Sequence, residues 1–441
     1  MKPTRLAFIL LLLGIGACRT YEEPPIRDLH LPDIIALFEL SEKQELSKKE
    51  FKFLGDTLIA ANQDLQAAQL YVEAASFYHQ AGTSKKTVAA LHQAIEKGMA
   101  NPKILGRFPG IEESLEFPEG QRLKQRLDSI KQQLEQVSHY KLEMRAMDHF
   151  WPYFDSALKD TSKAREELKK FLLQGPPEIR DFYVVRYGNL DLMYGQMINA
   201  TPDYYRYLKT HIHPDSLQAL QATTRKWMTN FKDLYPQAVF PKVFIVPGIL
   251  NSGGTATEMG MFVGGDMYGR SEDMPTDGLS DWQKNSIMNF KQLPGLTIHE
   301  LMHFQQNYKD TVNIDKVMGA IIGEGVCDFL VELSSGVPLQ SDNLSYLEDP
   351  DNMNFILNEL KNDLYNSDNS KWLYNGGSIE DRPHDLGYTL GYLISKSYFQ
   401  NHPDKIQAVH ELLNTENFKV IYKGSNYSFL LEKDTILSPS I

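Results

Sequence analysis

The sequence predicts an α+β fold that is mostly helical, with a small sheet and an all-α region before it. Apolar residues recur at helical spacing between about residues 40 and 137. Two further segments, "LPGLTIHELMHFQQN" and "VMGAIIGEGVCDFLVEL", read as apolar helices in the second half of the chain. Between these parts, "KVFIV" (residues 242–246) is a short buried strand pattern, and "EMGMFVGG" is again strand-like.

The chain of 441 residues is long enough for two or three domains. We divide it into a signal peptide (1–17), a tether (18–39), a helical region (40–137) and a second domain (138–441). The net charge is −12 and no long cluster of Lys and Arg is present. This argues against nucleic acid as the main partner, because phosphate binding needs a basic surface.

The N-terminus has the pattern of a targeting segment. "MKPTR" carries positive charge, and "LAFILLLLGIG" is an apolar run too short to span a bilayer. "IGAC", which ends at Cys18, resembles the lipobox of bacterial lipoproteins. The resemblance implies that cleavage leaves Cys18 at the new N-terminus with a lipid such as palmitate. The alternative is an ordinary cleaved signal with an unrelated cysteine.

The lipid would anchor the protein in the bacterial cell envelope, at the outer membrane, on its periplasmic or surface face. "YEE" (residues 21–23) resembles the acidic export tag of some surface lipoproteins; a plain solvated tether is the alternative.

The region 40–137 contains a predicted helical hairpin, whose helices stop at Gly82 and Gly98. The run "YHQAG…AALHQAIEKGMANP" resembles one tetratricopeptide repeat. A single repeat cannot bury its own apolar face, so we expect it to pack on neighbouring parts of the chain. Two roles remain open for this region: it binds a protein partner, or it is a helical spacer without partners.

The stretch "TIHELMH" contains a His-Glu-x-x-His motif. On a helix, His299 and His303 lie one turn apart on the same face, which suits two nitrogen ligands of one zinc ion. Glu300 is rotated by about 100° from His299, near the open position of the metal. There it can act as the general base that activates water.

A zinc site needs a third protein ligand, and Glu324 is the candidate. It lies between two glycines in an apolar helical run, where an unpartnered charge would be unfavourable. The glycines would let this helix approach the histidine helix closely. Asp328, one turn later, can accept the other ring N–H of a ligand histidine. The alternative for both acids is a solvated position on a helix surface.

Two such helices resemble the gluzincin arrangement of zinc peptidases. More narrowly, residues 138–400 resemble a family of predicted zinc-dependent proteases of unknown function and its lipoprotein relatives linked to gliding motility. The matching pieces are "DHFWPYF", "NSGGTATEMGMFVGGDMYG", "LTIHELMHFQQ", "IIGEGVCDFLVE" and "LGYTLGYLISKSYF". The resemblance implies a zincin-like metallopeptidase domain with a small sheet.

It also implies a strand along the substrate cleft, for which "TEMGMFVGG" is the candidate; a core strand is the alternative. Glu258 in this stretch lacks the following Asn of aminopeptidase motifs, which puts exopeptidase action in doubt. Hydrolysis further needs a donor to the oxyanion. His384, Tyr388 and Tyr392 are spaced four apart, and the resemblance favours Tyr388, then His384, as the donor. Aromatic packing is the alternative.

The sequence therefore predicts a lipid-anchored zinc metallopeptidase that hydrolyses peptides or proteins outside the cytoplasm. The alternative is a non-catalytic zinc-binding or assembly lipoprotein of the envelope, related to gliding-motility lipoproteins. A zinc hydrolase that acts on a non-peptide amide, such as a cell-wall stem, is a third hypothesis.

Overall fold

The computed structural model describes residues 29–41, 45–212, 214–375, 379 and 382–432. Over these residues the chain is mostly helical and contains a four-stranded sheet, which confirms the predicted α+β class. The predicted signal peptide, Cys18, and the tether up to residue 28 lie outside the described residues. Within the described ranges, no helix combines the length and the apolar character needed to cross a membrane.

The part of the chain before residue 138 is helical where the structure describes it. Its helices are α1 (Ile34–Glu39), α2 (Lys48–Leu65), α3 (Ala68–Gln80), α4 (Ser84–Glu96) and α5 (Pro118–Leu134). The pair α3 and α4 is the predicted hairpin. Gly82 and Gly98 follow these helices with φ of +71° and +113°, where a side chain would be strained. Glycine therefore ends both helices as the sequence predicts.

The chain joins the folded body earlier than the predicted end of the tether at residue 39. The Tyr183 hydroxyl donates to the Pro32 carbonyl at 2.6 Å. The Ile34 N–H donates to the Gly188 carbonyl at 2.8 Å, and the Ile34 side chain is buried. Of the apolar residues of α1, Ile34 is thus buried, Leu37 and Phe38 are partly buried against the body, and Ile35 is exposed.

The second part combines most of the helices with the sheet. Its helices are α6 (Arg145–Lys159), α7 (Ala164–Gln174), α8 (Pro177–Phe182), α9 (Leu190–Met193), α10 (Pro202–His211), α11 (Pro214–Leu234), α12 (Asp281–Ser286), α13 (Leu293–Gln305), α14 (Val317–Ser335), α15 (Asp342–Leu347), α16 (Pro350–Asp363), α17 (Leu386–Asn401), α18 (Lys405–Asn414) and α19 (Phe418–Gly424). A π-helical stretch, Tyr183–Tyr187, follows α8. The strands are β1 (Leu142–Glu143), β2 (Val243–Val246), β3 (Gly254–Ala256) and β4 (Met261–Gly264).

The sheet has the order β1-β2-β4-β3, and only its edge strand β3 runs antiparallel to its neighbour. The prediction that "TEMGMFVGG" forms the strand along the cleft is wrong. The strand in this stretch is β4, which is paired on both sides, with β2 and β3, and has no free edge. The exposed edge belongs to β3, which is only three residues long and follows "NSG". Glycine-rich composition is typical of turns, so the sequence does not indicate a strand at this place.

Buried side chains of both parts form one continuous cluster. Leu70 of α3 and Leu91 of α4 belong to the same cluster as Phe150 of α6 and Ile322 of α14. The helical region is therefore packed on its neighbours, as expected for a single repeat-like unit. Whether it follows the tetratricopeptide arrangement stays a prediction.

Candidate metal centre

Helix α13 carries the His-Glu-x-x-His motif. Pro294 lies in its first turn, where its missing N–H costs no helical hydrogen bond. The Nε2 atoms of His299 and His303 lie 3.2 Å apart. The one-turn spacing therefore aims both rings at a common point.

Helix α14 brings Glu324 to the same point. Its Oε2 lies 3.3 Å from Nε2 of His299 and 3.2 Å from Nε2 of His303. Only 13% of the Glu324 side chain is exposed. The two nitrogens and the carboxylate oxygen thus form a nearly equilateral triangle, made by residues from two helices.

A second grouping of donor atoms overlaps with this triangle. Donor atoms of His299, His303 and Cys327 lie within 4.8 Å of one another, so this part of the chain could hold a metal ion. Cys327 approaches the other ring nitrogen of His303, with Sγ 3.5 Å from Nδ1. Burial raises the pKa of its thiol to about 11, which disfavours the ligating thiolate. The Glu324 carboxylate faces both Nε2 atoms and is therefore a more suitable third donor to a metal ion than the Cys327 thiol.

Each histidine is oriented through its Nδ1 atom. Asp328, one turn after Glu324, lies 2.8 Å from Nδ1 of His299, in the arrangement that the sequence analysis expected. The Gln306 Oε1 atom lies 3.0 Å from Nδ1 of His303. The Gln306 amide is itself fixed, because its Nε2 donates to the Gly323 carbonyl at 2.6 Å. Sequence reasoning missed Gln306, although its position three residues after His303 places it on the same side of the helix.

The glycines beside Glu324 serve a different contact from the predicted one. A Cβ on Gly325 would lie 2.0 Å from the carbonyl carbon of Gly391, so α14 meets α17 there, backbone against backbone. Gly323 has only Tyr308 at 4.0 Å. The close approach therefore brings α17, rather than the histidine helix, against α14.

The α17 helix carries Tyr388 into the site. Its ring lies 6.3 Å from the His299 ring, measured between centroids, and it lines the cleft. Burial, and then the Glu324 charge, raise the pKa of Tyr388 well above its ordinary value, so its hydroxyl keeps a proton to donate. His384 is exposed and is not among the residues that line the cleft. Of the two predicted donors, the structure brings only Tyr388 to the site.

Tyr374 is a site residue that the sequence analysis missed. Its hydroxyl donates to Oε1 of Glu324 at 2.5 Å, so the other carboxylate oxygen is left to face the histidines. Its φ of +58° is unfavourable for a tyrosine, and its side chain is exposed. No periodic pattern marks Tyr374, since it lies in a loop.

The edge strand β3 lies directly over Glu300. A Cβ on Gly254 would come within 2.6 Å of Oε1 of Glu300, so only glycine fits without moving the carboxylate. The sequence predicts that Glu300 lies on the helix, but no sequence pattern predicts that the backbone of β3 covers its carboxylate. Glu258, the acid considered for a free amine, is instead paired with Arg107 at 2.9 Å and does not line the cleft.

The acidic groups around the two histidines favour the protonated form of both imidazoles. Burial alone would lower the pKa of His299, but hydrogen bonds to Asp328 and Glu324 outweigh it and raise the pKa to about 10. The pKa of His303 is also raised, since Cys327 and Glu324 outweigh burial. Burial would raise the pKa of Glu324, but both histidines hold it well below its usual range. A metal bound here would displace protons from the imidazoles.

The site opens into a cleft with a volume of about 1160 Å³. One wall is the edge strand β3 and the residues before it, and the other is formed by α14 and the chain after it. The lining includes Trp227, Trp282 and Val337 as well as the polar groups of the site. An extended peptide would find both an unpaired strand edge and apolar surface here.

No protein-family model, no curated protein and no solved structure matches this chain.

Proposed function

We propose that the protein is a zinc-dependent metallopeptidase with a zincin-like catalytic domain, similar to the gluzincins. The observation that carries the proposal is the triangle of His299 Nε2, His303 Nε2 and Glu324 Oε2, with sides of 3.2–3.3 Å. A tetrahedral zinc site with ligands at 2.0–2.1 Å needs donor atoms about 3.3 Å apart. The residues present therefore fit zinc without rearrangement.

Two nitrogens and one carboxylate oxygen also match the donor set of catalytic zinc sites, which leave a fourth position open. A zinc ion held by these three residues would polarise the scissile carbonyl and make water easier to deprotonate. Asp328 and Gln306 would keep the two imidazoles in the orientation and tautomer that this requires.

Glu300 is the general base. Its carboxylate lies in the same cleft as the donor triangle, against β3, and its charge acts on His299; there it takes a proton from the attacking water and later gives it to the leaving amine. Tyr388, with its raised pKa, donates a hydrogen bond to the oxyanion as charge develops there. The edge of β3 pairs with the substrate backbone and holds the scissile bond in line with Glu300.

The proposal includes the cell context inferred from the sequence. A lipid on Cys18 anchors the protein in the bacterial envelope, and the helical region offers a surface for a protein partner. Substrates are then peptides or proteins outside the cytoplasm.

The test uses the full-length chain in mild detergent. We expect one zinc ion per chain by plasma mass spectrometry, and hydrolysis of a quenched peptide library. Glu324→Ala should lose most of the zinc. Glu300→Gln should keep the zinc but lower hydrolysis by at least about 1000-fold, since it removes the base without removing a ligand. Glu348→Gln, an exposed acid outside the cleft, is the control.

Zinc without hydrolysis in the wild type would favour a non-catalytic zinc-binding or assembly lipoprotein. If the wild type holds no zinc, the metallopeptidase proposal fails as a whole.

A further inference from the structure

Arg186 is a cation in the cleft that the catalytic proposal does not use. It lies in the π-helical stretch Tyr183–Tyr187, and Tyr187 fixes this stretch by a hydrogen bond to the Pro247 carbonyl. The Asn251 side chain donates to the Arg186 carbonyl at 3.0 Å. The backbone is thus held from two sides, and the half-buried side chain lines the cleft.

The guanidinium has an unusual set of partners. Its Nε donates to the Thr255 hydroxyl at 2.7 Å. Every other arginine in the described part of the chain donates to a carboxylate or to a backbone carbonyl. These are Arg107, Arg122, Arg126, Arg145, Arg165, Arg180, Arg206, Arg225, Arg270 and Arg382.

Among the described residues no carboxylate contacts Arg186, which therefore keeps its charge in a partly desolvated place without an anionic partner there. Burial lowers its pKa, and the Glu300 charge, which lies too far away for an ion pair, opposes that effect only in part. An arginine remains protonated under these conditions. A half-buried charge of this kind is stabilised when a ligand brings the missing carboxylate.

The position of Arg186 connects it to the reacting centre. Thr255, its hydrogen-bond partner, follows Gly254, the residue that lies against the Glu300 carboxylate. Both residues belong to β3, the strand edge available to a bound peptide. Since one strand residue spans about 3.4 Å, a group bound by Arg186 would belong to a residue close to the scissile bond.

We propose that Arg186 forms a subsite for a carboxylate of the substrate, so that the cleft prefers peptides with an acidic group near the cleaved bond. The inference rests on the proposed function in that it takes a peptide as the ligand. Within the described part of the chain no group accepts from the two terminal guanidinium nitrogens, which leaves them for a bidentate pair with the carboxylate. The carboxylate comes either from an Asp or Glu side chain or from a free C-terminus.

The test measures binding and does not need turnover. The zinc-loaded full-length chain with Glu300→Gln is titrated with fluorescent peptides, and their affinities are compared by anisotropy. Each peptide with one Glu is matched by a peptide with Gln at the same place, and each free C-terminus by an amide. We expect at least one acidic peptide to bind about tenfold or more tightly than its neutral match.

Arg186→Met should remove this difference while the neutral peptides bind as before, which also shows that the cleft is intact. Arg186→Lys should keep part of it, because lysine retains the charge without the bidentate geometry. Arg206→Met removes the same charge at an exposed site outside the cleft and should leave the difference unchanged.

A difference between Glu and Gln assigns the subsite to a side chain, and a difference between acid and amide assigns it to the C-terminus. The subsite is refuted if acidic and neutral peptides bind equally to the Arg186 protein, or if Arg186→Met keeps the difference. Hydrolysis by the chain with an intact Glu300 is measured separately. Absent hydrolysis with selective binding would reject the catalytic proposal and retain the subsite.

Discussion

The candidate metal centre and the junction between the helical region and the body both contain partly buried charged side chains, but these side chains have different partners in the two regions. We define the junction by its polar residues, Glu73, Asn101, Lys103, Arg107 and Glu258. At the junction each charge meets a partner: Arg107 bonds Glu73 and Glu258, and Lys103 donates to the Gln305 carbonyl at the end of α13. At the metal centre, donor atoms of His299, His303 and Glu324 converge and face an open cleft.

This difference shows how a charged side chain that stabilises the fold can be distinguished from one that belongs to a functional site. Burial alone does not decide, because only 12% of the Glu258 side chain and 13% of the Glu324 side chain are exposed. What distinguishes the candidate metal centre is that its donor atoms converge on one point with an opening beside it. Removing a charge at the metal centre should therefore change metal binding or catalysis, whereas the same change at the junction should lower stability.

Among the variants that test this difference between the two regions, the largest effect is expected from Gly254→Ala, which tests the contact between β3 and Glu300. The new Cβ would lie 2.6 Å from Oε1 of Glu300, and the carboxylate can move away because it ends a flexible side chain. We expect hydrolysis to fall about 100-fold, since a small misplacement of a catalytic group has this effect. Zinc content and the unfolding midpoint in urea should stay close to wild type.

Gly106→Ala adds the same methyl group where nothing lies within 4 Å, and it serves as the control. Full activity of Gly254→Ala would show that β3 does not position the base. A loss of zinc would show that the variant disturbs the metal centre itself.

The histidine motif, Glu324 and Asp328 were accessible from the sequence because they repeat at helical spacing on two apolar helices. Periodicity fixes which residues share a face, and the metal chemistry then limits the choice. Tyr374, Gln306 and Arg186 were not accessible in this way. Tyr374 lies in a loop with a positive φ, Gln306 acts at a helix end, and Arg186 reaches the cleft only through tertiary packing.

The prediction of the fold from the sequence is limited in the same way. The strands β2 and β4 were recognisable from their apolar runs, whereas the glycine-rich stretch around β3 carries no strand pattern. A short edge strand makes few side-chain contacts and is defined by its pairing with β4, which local composition does not encode. The glycines around Glu324 were noticed, but their partner, Gly391, follows from the crossing of α14 and α17.

An intermediate effect is expected from Tyr374→Phe at the metal centre. The change removes the hydroxyl that donates to Oε1 of Glu324, so the carboxylate is no longer held with Oε2 toward the histidines. We expect zinc affinity, measured by competition with a chelating dye, to fall about tenfold, as for other outer partners of metal ligands. Tyr365→Phe, at an exposed tyrosine outside the cleft, should bind zinc as the wild type does. Unchanged affinity in Tyr374→Phe would mean that Glu324 is oriented by the helix alone.

The smallest effect is expected from Glu258→Gln at the junction. Glu258 accepts hydrogen bonds from Asn101 at 2.6 Å and from Arg107 at 2.9 Å, but Arg107 keeps Glu73 as a second partner. The loss should therefore be limited to about 1 kcal/mol in the free energy of unfolding, measured by urea denaturation of the metal-free chain. Zinc affinity should not change, because Glu258 lies in the turn between β3 and β4 and does not line the cleft that contains the ligands. A parallel loss of zinc affinity would instead show that the β3–β4 hairpin transmits strain from the junction to Glu300 and the metal centre. The two regions would then act as one unit, and the helical region would gain a role in controlling the site.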